Sequence, residues 1–292
     1  MRPRNGQRSV AYLFLAPAGL VLGLLAFWPM LSAIALSFTD FSMLQPAQSV
    51  GVDNYAALAR DPFLWNAARN TFAYLLIVVP ILVVAPIFLA VLVDTSLPGI
   101  RTFRAIYYLP VVTSLVVTGL MWKWLYQEQG PLNYLLQQAG VISAPVAWLA
   151  DPATSLYAVM AVTVWSGIGY YMVIYLAGLQ AIPRSLYENA RLEGVSGWRQ
   201  TIFITIPLLK PYVALVAITS SIAAVKVFEE VYVMTGGGPL NASETLVFFI
   251  YDRAFGEFEM GYASAAGVLL LVAALAMSCF NLAALGDRTT SK

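Results

Sequence analysis

A chain of 292 residues that is 60% hydrophobic and only 11% charged carries too little polar surface for a soluble domain, and its mean hydropathy of +0.75 points to lipid as its solvent. Sixteen Lys and Arg against fifteen Asp and Glu leave a net charge of +1, so there is no basic field for nucleic acid. Without His, and with Cys279 alone in an apolar stretch, the chain offers no His general base, Cys/His dyad, zinc cluster or intrachain disulfide.

A bilayer-crossing helix needs about 20 mostly apolar residues, because every backbone N–H and C=O must be satisfied internally once water is gone. The chain opens with Arg2, Arg4 and Arg8, as a signal peptide would. The apolar run that follows is too long and lacks a small-residue cleavage site, so residues 10–36 are expected to remain as a first span. Asp40 ends that run, and the polar stretch from Asp53 to Asn70 suits a helix lying on the membrane surface. Charge-free intervals from Arg69 to Asp94, Arg104 to Lys123 and Asp151 to Arg184 hold the next spans, about 70–93, 105–126 and 155–178. The interval from Lys210 to Lys226 is short, so the fifth span, about 207–228, must begin near Pro207 or carry Lys226 inward. A sixth, about 260–286, lies between Glu259 and Asp287. The expectation is an all-α integral membrane protein, a single transmembrane domain over residues 1–292 with six transmembrane helices.

An even number of spans puts both termini on one side, and cationic residues choose the side. Arg101, Arg104, Arg184, Arg191, Arg199, Lys210, Arg288 and Lys292 fall with the N-terminal arginines, whereas Arg60, Arg69 and Arg253 lie opposite. Both termini are therefore expected in the cytoplasm, with loops around 40–69, 127–152 and 231–259 outside as rims or docking surfaces.

The longest polar stretch inside is the loop 182–206. Pro183 and Ser185 suit a helix start, Leu186, Ala190 and Glu193 recur at helical spacing, and Gly194 can adopt the positive φ that ends a short helix. A bend and a second helix should follow, with Pro207 at the entry to the fifth span. Periodicity alone allows an ordinary amphipathic connector as well as a helix that seats in another protein's groove.

Residue identities go further. Glu188 and Ala190, Gly194, Ile204 and Pro207 stand at the spacing of Glu-Ala-Ala, three residues, Gly, nine residues, Ile-x-Leu-Pro, with Asn189 and Ile206 as the departures. The segment resembles the EAA loop of the permease subunits of binding-protein-dependent ABC importers. Asn189 puts a polar group where alanine is expected to pack, which leaves that contact open. Gly51-Val-Asp-Asn-Tyr55, Trp65-Asn-Ala-Ala-Arg-Asn70, Leu109-Pro110, Trp122-Lys-Trp124, Gly130-Pro-Leu-Asn133, Thr235-Gly-Gly-Gly-Pro239 and Gly261-Tyr-Ala-Ser-Ala265 are similar to the sugar branch, the permeases for maltose, glycerol phosphate and trehalose.

The resemblance implies the type I importer permease fold in a bacterial cytoplasmic membrane. It implies a coupling helix over Glu188, Asn189, Ala190, Arg191, Leu192, Glu193 and Gly194 that contacts an ATPase. Its implied partners are a second homologous permease chain, two ATPase subunits and an extracytoplasmic solute-binding protein, with a disaccharide or glycoside as cargo. No Gly-x-x-x-x-Gly-Lys-Ser/Thr sequence occurs, so ATP and Mg2+ belong to the ATPase and this chain needs no cofactor of its own.

A sugar needs hydrogen-bonding groups for its hydroxyls and flat apolar surface for its C–H faces. Trp165-Ser166-Gly167-Ile168-Gly169-Tyr170-Tyr171 supplies both, its glycines allowing either close backbone approach or a local break, although small residues also serve helix packing. The resemblance places sugar contacts here, at Gly167 and Tyr170 first, then Ser166 and Tyr171. Lys226, Glu229 and Glu230 either line the cavity or pair with one another at the outer rim. Tyr251, Asp252 and Arg253 suit the outer surface. An ion-coupled carrier would not require the loop spacing, and a membrane transferase would cluster carboxylates at one face, whereas Asp40, Asp53, Asp61, Asp94, Asp151, Glu188, Glu193 and Glu229 are dispersed.

Overall fold

The structure, a computed structural model, describes residues 5–43, 46–94 and 98–286. Among these every regular element is helical, with isolated bridge residues only at Thr39, which pairs with Ser49, and at Ser42. In chain order, α1 (Asn5–Leu22) passes through a π turn at Gly23–Phe27 into α2 (Trp28–Leu36), and the short α3 (Asp53–Leu58) precedes the long α4 (Pro62–Val93). Then come α5 (Ile100–Val112), α6 (Leu115–Leu125), α7 (Pro131–Gln138) and α8 (Ser155–Gln180). The loop region holds α9 (Arg184–Leu192) and α10 (Gly197–Gln200), a π turn at Thr201–Thr205, and α11 (Ile206–Leu208). The last elements are α12 (Lys210–Val225), α13 (Glu229–Met234), α14 (Leu246–Tyr251), a π turn at Asp252–Gly256, and α15 (Met260–Gly286).

Among the described residues four helical stretches are long and apolar enough to cross a membrane, and up to six spans result if each of two bent pairs counts as one. The third charge-free interval is one of those pairs. Rather than a single rod over 105–126, α5 and α6 meet at 100° through Thr113 and Ser114, whose ψ values of 138° and 134° are extended. Pro110, inside the last turn of α5, removes one backbone donor just before the break. The fifth interval is the other pair. Pro207 does not open the span but lies inside the run Gly197–Leu208, and a 68° bend at Leu209 separates that run from α12. The stretch 53–70 is likewise not one surface helix, because Pro62 begins α4 and residues 62–70 belong to it.

Contacts divide the described residues into two compact units. The first combines the residues up to Asp61 with Ile250–Val272. Here the motifs Gly51–Tyr55 and Gly261–Ala265 meet around the segment 37–41. Asn54 Nδ2 donates to the carbonyls of Ser37 at 2.9 Å and Thr39 at 2.8 Å, and Ser37 Oγ and Tyr55 Oη share a 2.7 Å hydrogen bond. Gly261 N donates to Phe41 O at 2.8 Å, and a Cβ at Gly261 would run into the Thr39 carbonyl, so only glycine fits. Tyr262 Oη donates to Asp61 Oδ2 at 2.7 Å, and Arg253 pairs with Glu257.

The second unit comprises Pro62–Phe249 with the described residues from Ala273. Its core is the contact between α4 and α8, flanked by α12 on α4 and α5 on α8. On α4, Tyr74, Val78, Leu82, Pro86 and Ala90 recur at four-residue intervals and form the buried stripe. Val159, Val162, Met172, Tyr175 and Leu179 answer them on α8. Tyr175 is fully buried, and its hydroxyl donates to Val83 O at 2.9 Å. The other motifs close polar loops. Asn133 Nδ2 donates to the carbonyls of Gln127, Glu128 and Val146, while its Oδ1 accepts from Val146 N and Trp148 Nε1. Asn66 and Asn70 donate to the carbonyls of Asn241 and Glu244 beyond the Thr235–Pro239 turn.

Candidate coupling surface and substrate path

The loop between α8 and α12 is built as its punctuation demands. Pro183, with ψ 127°, delivers the chain into α9. At the other end Gly194 has φ +75°, its N–H donates to Arg191 O at 3.0 Å, and Val195 N donates to Ala190 O at 2.9 Å. This is a Schellman cap, in which a left-handed residue lets the chain turn back on the last carbonyls. Gln200 Nε2 donates to Val195 O at 2.9 Å, which ties the turn to α10. Tyr187 Oη and Thr205 Oγ1 share a 2.9 Å hydrogen bond, joining α9 to the far end of the π turn.

α9 has three distinct aspects. Arg184, Tyr187, Glu188 and Arg191, at spacings of three and four, line a polar cavity of about 810 Å³ that Asp94 and Arg104 also border. Ala190 is buried beside this face. Asn189, Leu192, Glu193 and Gly194 are exposed, with Leu192 at 88%. Of the seven residues expected at the ATPase contact, six are exposed and only Ala190 packs inward; Glu188 and Arg191 border the cavity, and a bare leucine stands at the helix end. Asn189, where the EAA pattern has alanine, is solvent-exposed rather than packed.

α8 runs unbroken through Trp165–Tyr171, so its glycines serve close approach rather than a break. A Cβ at Gly169 would collide with the Tyr107 carbonyl of α5, and one at Gly167 would meet Leu82 of α4 at 3.2 Å. Ser166 is buried and donates to Thr163 O at 3.2 Å. Tyr170 and Tyr171 part company: Tyr170 is 47% exposed and Tyr171 is 6% exposed, with ring centroids 5.1 Å apart at 79°. Of this group, Tyr170 alone offers an open aromatic face with a hydroxyl.

Lys226 and Glu229 are both exposed, and no ion pair joins Lys226 to Glu229 or Glu230. The helical register needed for pairing is lost because α12 stops at Val225 and α13 begins afresh at Glu229. Glu230, by contrast, is buried, and its Oε1 accepts from Thr163 Oγ1 at 3.2 Å. Thr163 Oγ1 also meets Tyr74 Oη, so a polar chain crosses from α4 through α8 to α13. Burial pushes the Glu230 carboxyl above its ordinary value, against the pull of its own backbone bond and Thr163, and Glu229 adds to the rise. Thr163 and Tyr74 were not singled out from the sequence; polar side chains at mid-span were the available signal.

The family of binding-protein-dependent transport system inner membrane components matches residues 55–288, most of the chain. The chain belongs to that family. It is thus a multi-pass inner-membrane transport component and not an enzyme. The probable ABC transporter permease protein YurN of Bacillus subtilis (strain 168) is 36% identical over 95% of this chain and 96% of its own length. The lactose transport system permease protein LacF of Rhizobium radiobacter is 35% identical over 92% of both chains. In fold, a chain of the bacterial alginate ABC transporter, solved in complex with an alginate pentasaccharide-bound periplasmic protein, superposes with a TM-score of 0.84 at 22% identity, covering 98% of this chain and 97% of that one.

Proposed function

We propose that this permease forms half of the translocation pathway of an ATP-driven carbohydrate importer and is worked by a separate ATPase through α9. The observation that carries the proposal is the build of α9. It is a short helix, capped by Gly194 and tied to Thr205 through Tyr187, yet it leaves Leu192 almost fully exposed at its tip. With Leu186 and Trp198 also exposed on the same loop, it gives a partner's groove apolar side chains to seat. The excess of Lys and Arg on the loop's side of the membrane supports cytoplasmic termini and a cytoplasmic α9.

In this reading ATP and Mg2+ bind the ATPase pair, a second permease completes the pore, and an extracytoplasmic binding protein delivers the cargo. ATPase closure draws α9 toward its counterpart and turns the cavity outward, and hydrolysis returns it inward. The permease makes no covalent bond and links a packing change at one surface to access at another. The lactose permease and the alginate transporter among its relatives support a carbohydrate cargo. Tyr170, with Ser166, Gly167 and Tyr171 behind it, Lys226 just after α12 and Glu229 at the start of α13 are the proposed contacts.

The test is the assembled transporter carrying Leu192→Asp or Gly194→Pro. The expected result is a chain that still inserts and assembles but no longer shows sugar-stimulated ATP hydrolysis. Normal stimulation in both variants would remove α9 from the coupling role.

A further inference from the structure

Thr118 and Trp122 stand one turn apart on the same face of α6. Thr118 is 1% exposed, yet neither its Oγ1 nor the buried Nε1 of Trp122 has a hydrogen-bond partner in the protein. Two orphaned polar atoms on one helix face are unusual, because an unmet buried donor or acceptor forfeits its hydration without return. Neighbouring groups are satisfied: Tyr126 Oη donates to Ala158 O at 3.2 Å and Trp148 Nε1 to Asn133 Oδ1 at 2.9 Å. Among the described residues Ser155 Oγ at the start of α8 is also unmet, but Thr118 and Trp122 place two such atoms on one helix face.

The surroundings match a carbohydrate. The Trp122 ring lies edge-on to Trp165 of α8, with centroids 5.4 Å apart at 73°, and Trp165 is 39% exposed. On the next position of α6, the Cβ site of Gly119 lies 3.0 Å from Val233 of α13, so α6 seats against α13 as closely as a glycine permits. The polar atoms are sealed while α6 sits there. The 100° elbow at Thr113 and Ser114 is the joint about which α6 can swing away.

We infer that Thr118 Oγ1 and Trp122 Nε1 form a carbohydrate subsite on α6, with Trp165 as its aromatic platform, closed in the conformation described here and exposed when α6 turns about the elbow. This rests on the carbohydrate reading above and adds a helix that it does not use. The indole N–H donates one bond to a sugar oxygen, the threonine hydroxyl donates and accepts, and the Trp165 face covers C–H groups.

Thr118→Val keeps the branched shape and removes only the hydroxyl, whereas Trp122→Phe keeps an aromatic ring but removes the indole N–H together with part of the ring surface. The complete transporter, reconstituted with its partner permease, ATPase and binding protein, is given a panel of neutral and acidic di- and oligosaccharides that includes lactose and arabinotriose. Uptake and ATP hydrolysis are measured. Each variant is expected to raise the half-saturating sugar concentration for uptake about fivefold, the loss of one neutral hydrogen bond. Without sugar, the melting temperature of Thr118→Val should hold or rise, because an unmet polar atom has gone. Unchanged half-saturation in both variants, in a transporter whose wild type responds to sugar, overturns the subsite and leaves the carbohydrate reading intact. A lower melting temperature of Thr118→Val without sugar also overturns it, since that hydroxyl would then be structural. If no sugar drives the wild type, the carbohydrate reading falls and the subsite with it.

Discussion

Gly169→Ala separates packing from permissive spacing on α8. A methyl group at position 169 is driven into the Tyr107 carbonyl and lies 3.3 Å from Val111 Cγ2, and a backbone carbonyl has no rotamer by which to withdraw. α5 must therefore move off α8 as a body. Overpacking of this kind costs about 1–3 kcal/mol, and the upper end applies where backbone is the obstacle. With about 2–4 °C per kcal/mol for a domain of this size, the melting temperature of the solubilised protein should fall by roughly 5–10 °C. Two controls fix the sign. Gly167→Ala meets the methyls of Leu82, the far end of a flexible side chain, at 3.2 Å and 3.4 Å, so relief of the glycine penalty offsets most of the strain. Gly267→Ala meets nothing within 4 Å and should stabilise α15 by up to about 1 kcal/mol. Thermal unfolding followed by tryptophan fluorescence measures all three. Equal melting temperatures for Gly169→Ala and Gly167→Ala would refute the tight α5–α8 contact.

Tyr187→Phe removes the bond to Thr205 and should lower stability by about 1 kcal/mol while weakening sugar-stimulated ATP hydrolysis, and unchanged coupling would show that α9 needs no tie to the π turn. Tyr170→Ala should reduce sugar uptake without releasing ATP hydrolysis from control, because it strips an open aromatic face and leaves α9 intact; uptake equal to wild type would dismiss that role. Glu230 titrates above its unfolded value, so its contribution to stability is complete below that value and is lost as pH rises through the folded one. The melting temperature should therefore decline as pH rises above the ordinary carboxylate range in the wild type and decline less in Glu230→Gln, as unfolding scans at rising pH would register.

The sequence announces what depends on local chemistry. The charge-free intervals mark the apolar helices, and Gly194 marks the Schellman turn, because a positive φ is a property of one residue. What depends on neighbours is less legible. Lys226 and Glu229 have the spacing of an ion pair, but that spacing operates only on a continuous helix, and the chain leaves helical register between them. Glu188 and Arg191 look like docking residues by motif, yet which aspect of α9 faces the cavity is fixed by how α10 and the ends of α4 and α5 close around it. The Tyr74–Thr163–Glu230 chain joins positions far apart in sequence, and no single one of them is conspicuous without the others.

Proline gives the clearest case of a local rule with a nonlocal outcome. A proline removes its own N–H and crowds the carbonyl four residues back, which by itself predicts a helix end. At Pro29 and Pro207 the chain instead widens into π turns, Gly23–Phe27 and Thr201–Thr205, each of which contains the crowded carbonyl and closes two residues before the proline. The helix is deformed rather than terminated. That difference matters for transmission, because the run Gly197–Leu208 reaches the bend at Leu209 without a loose segment and α12 continues from there into contact with α4 and α8. With Tyr187 pinned to Thr205 at the end of the π turn, displacement of α9 carries that turn with it. Had Pro207 ended the helix, the same displacement would have been absorbed in a loop before it reached α12.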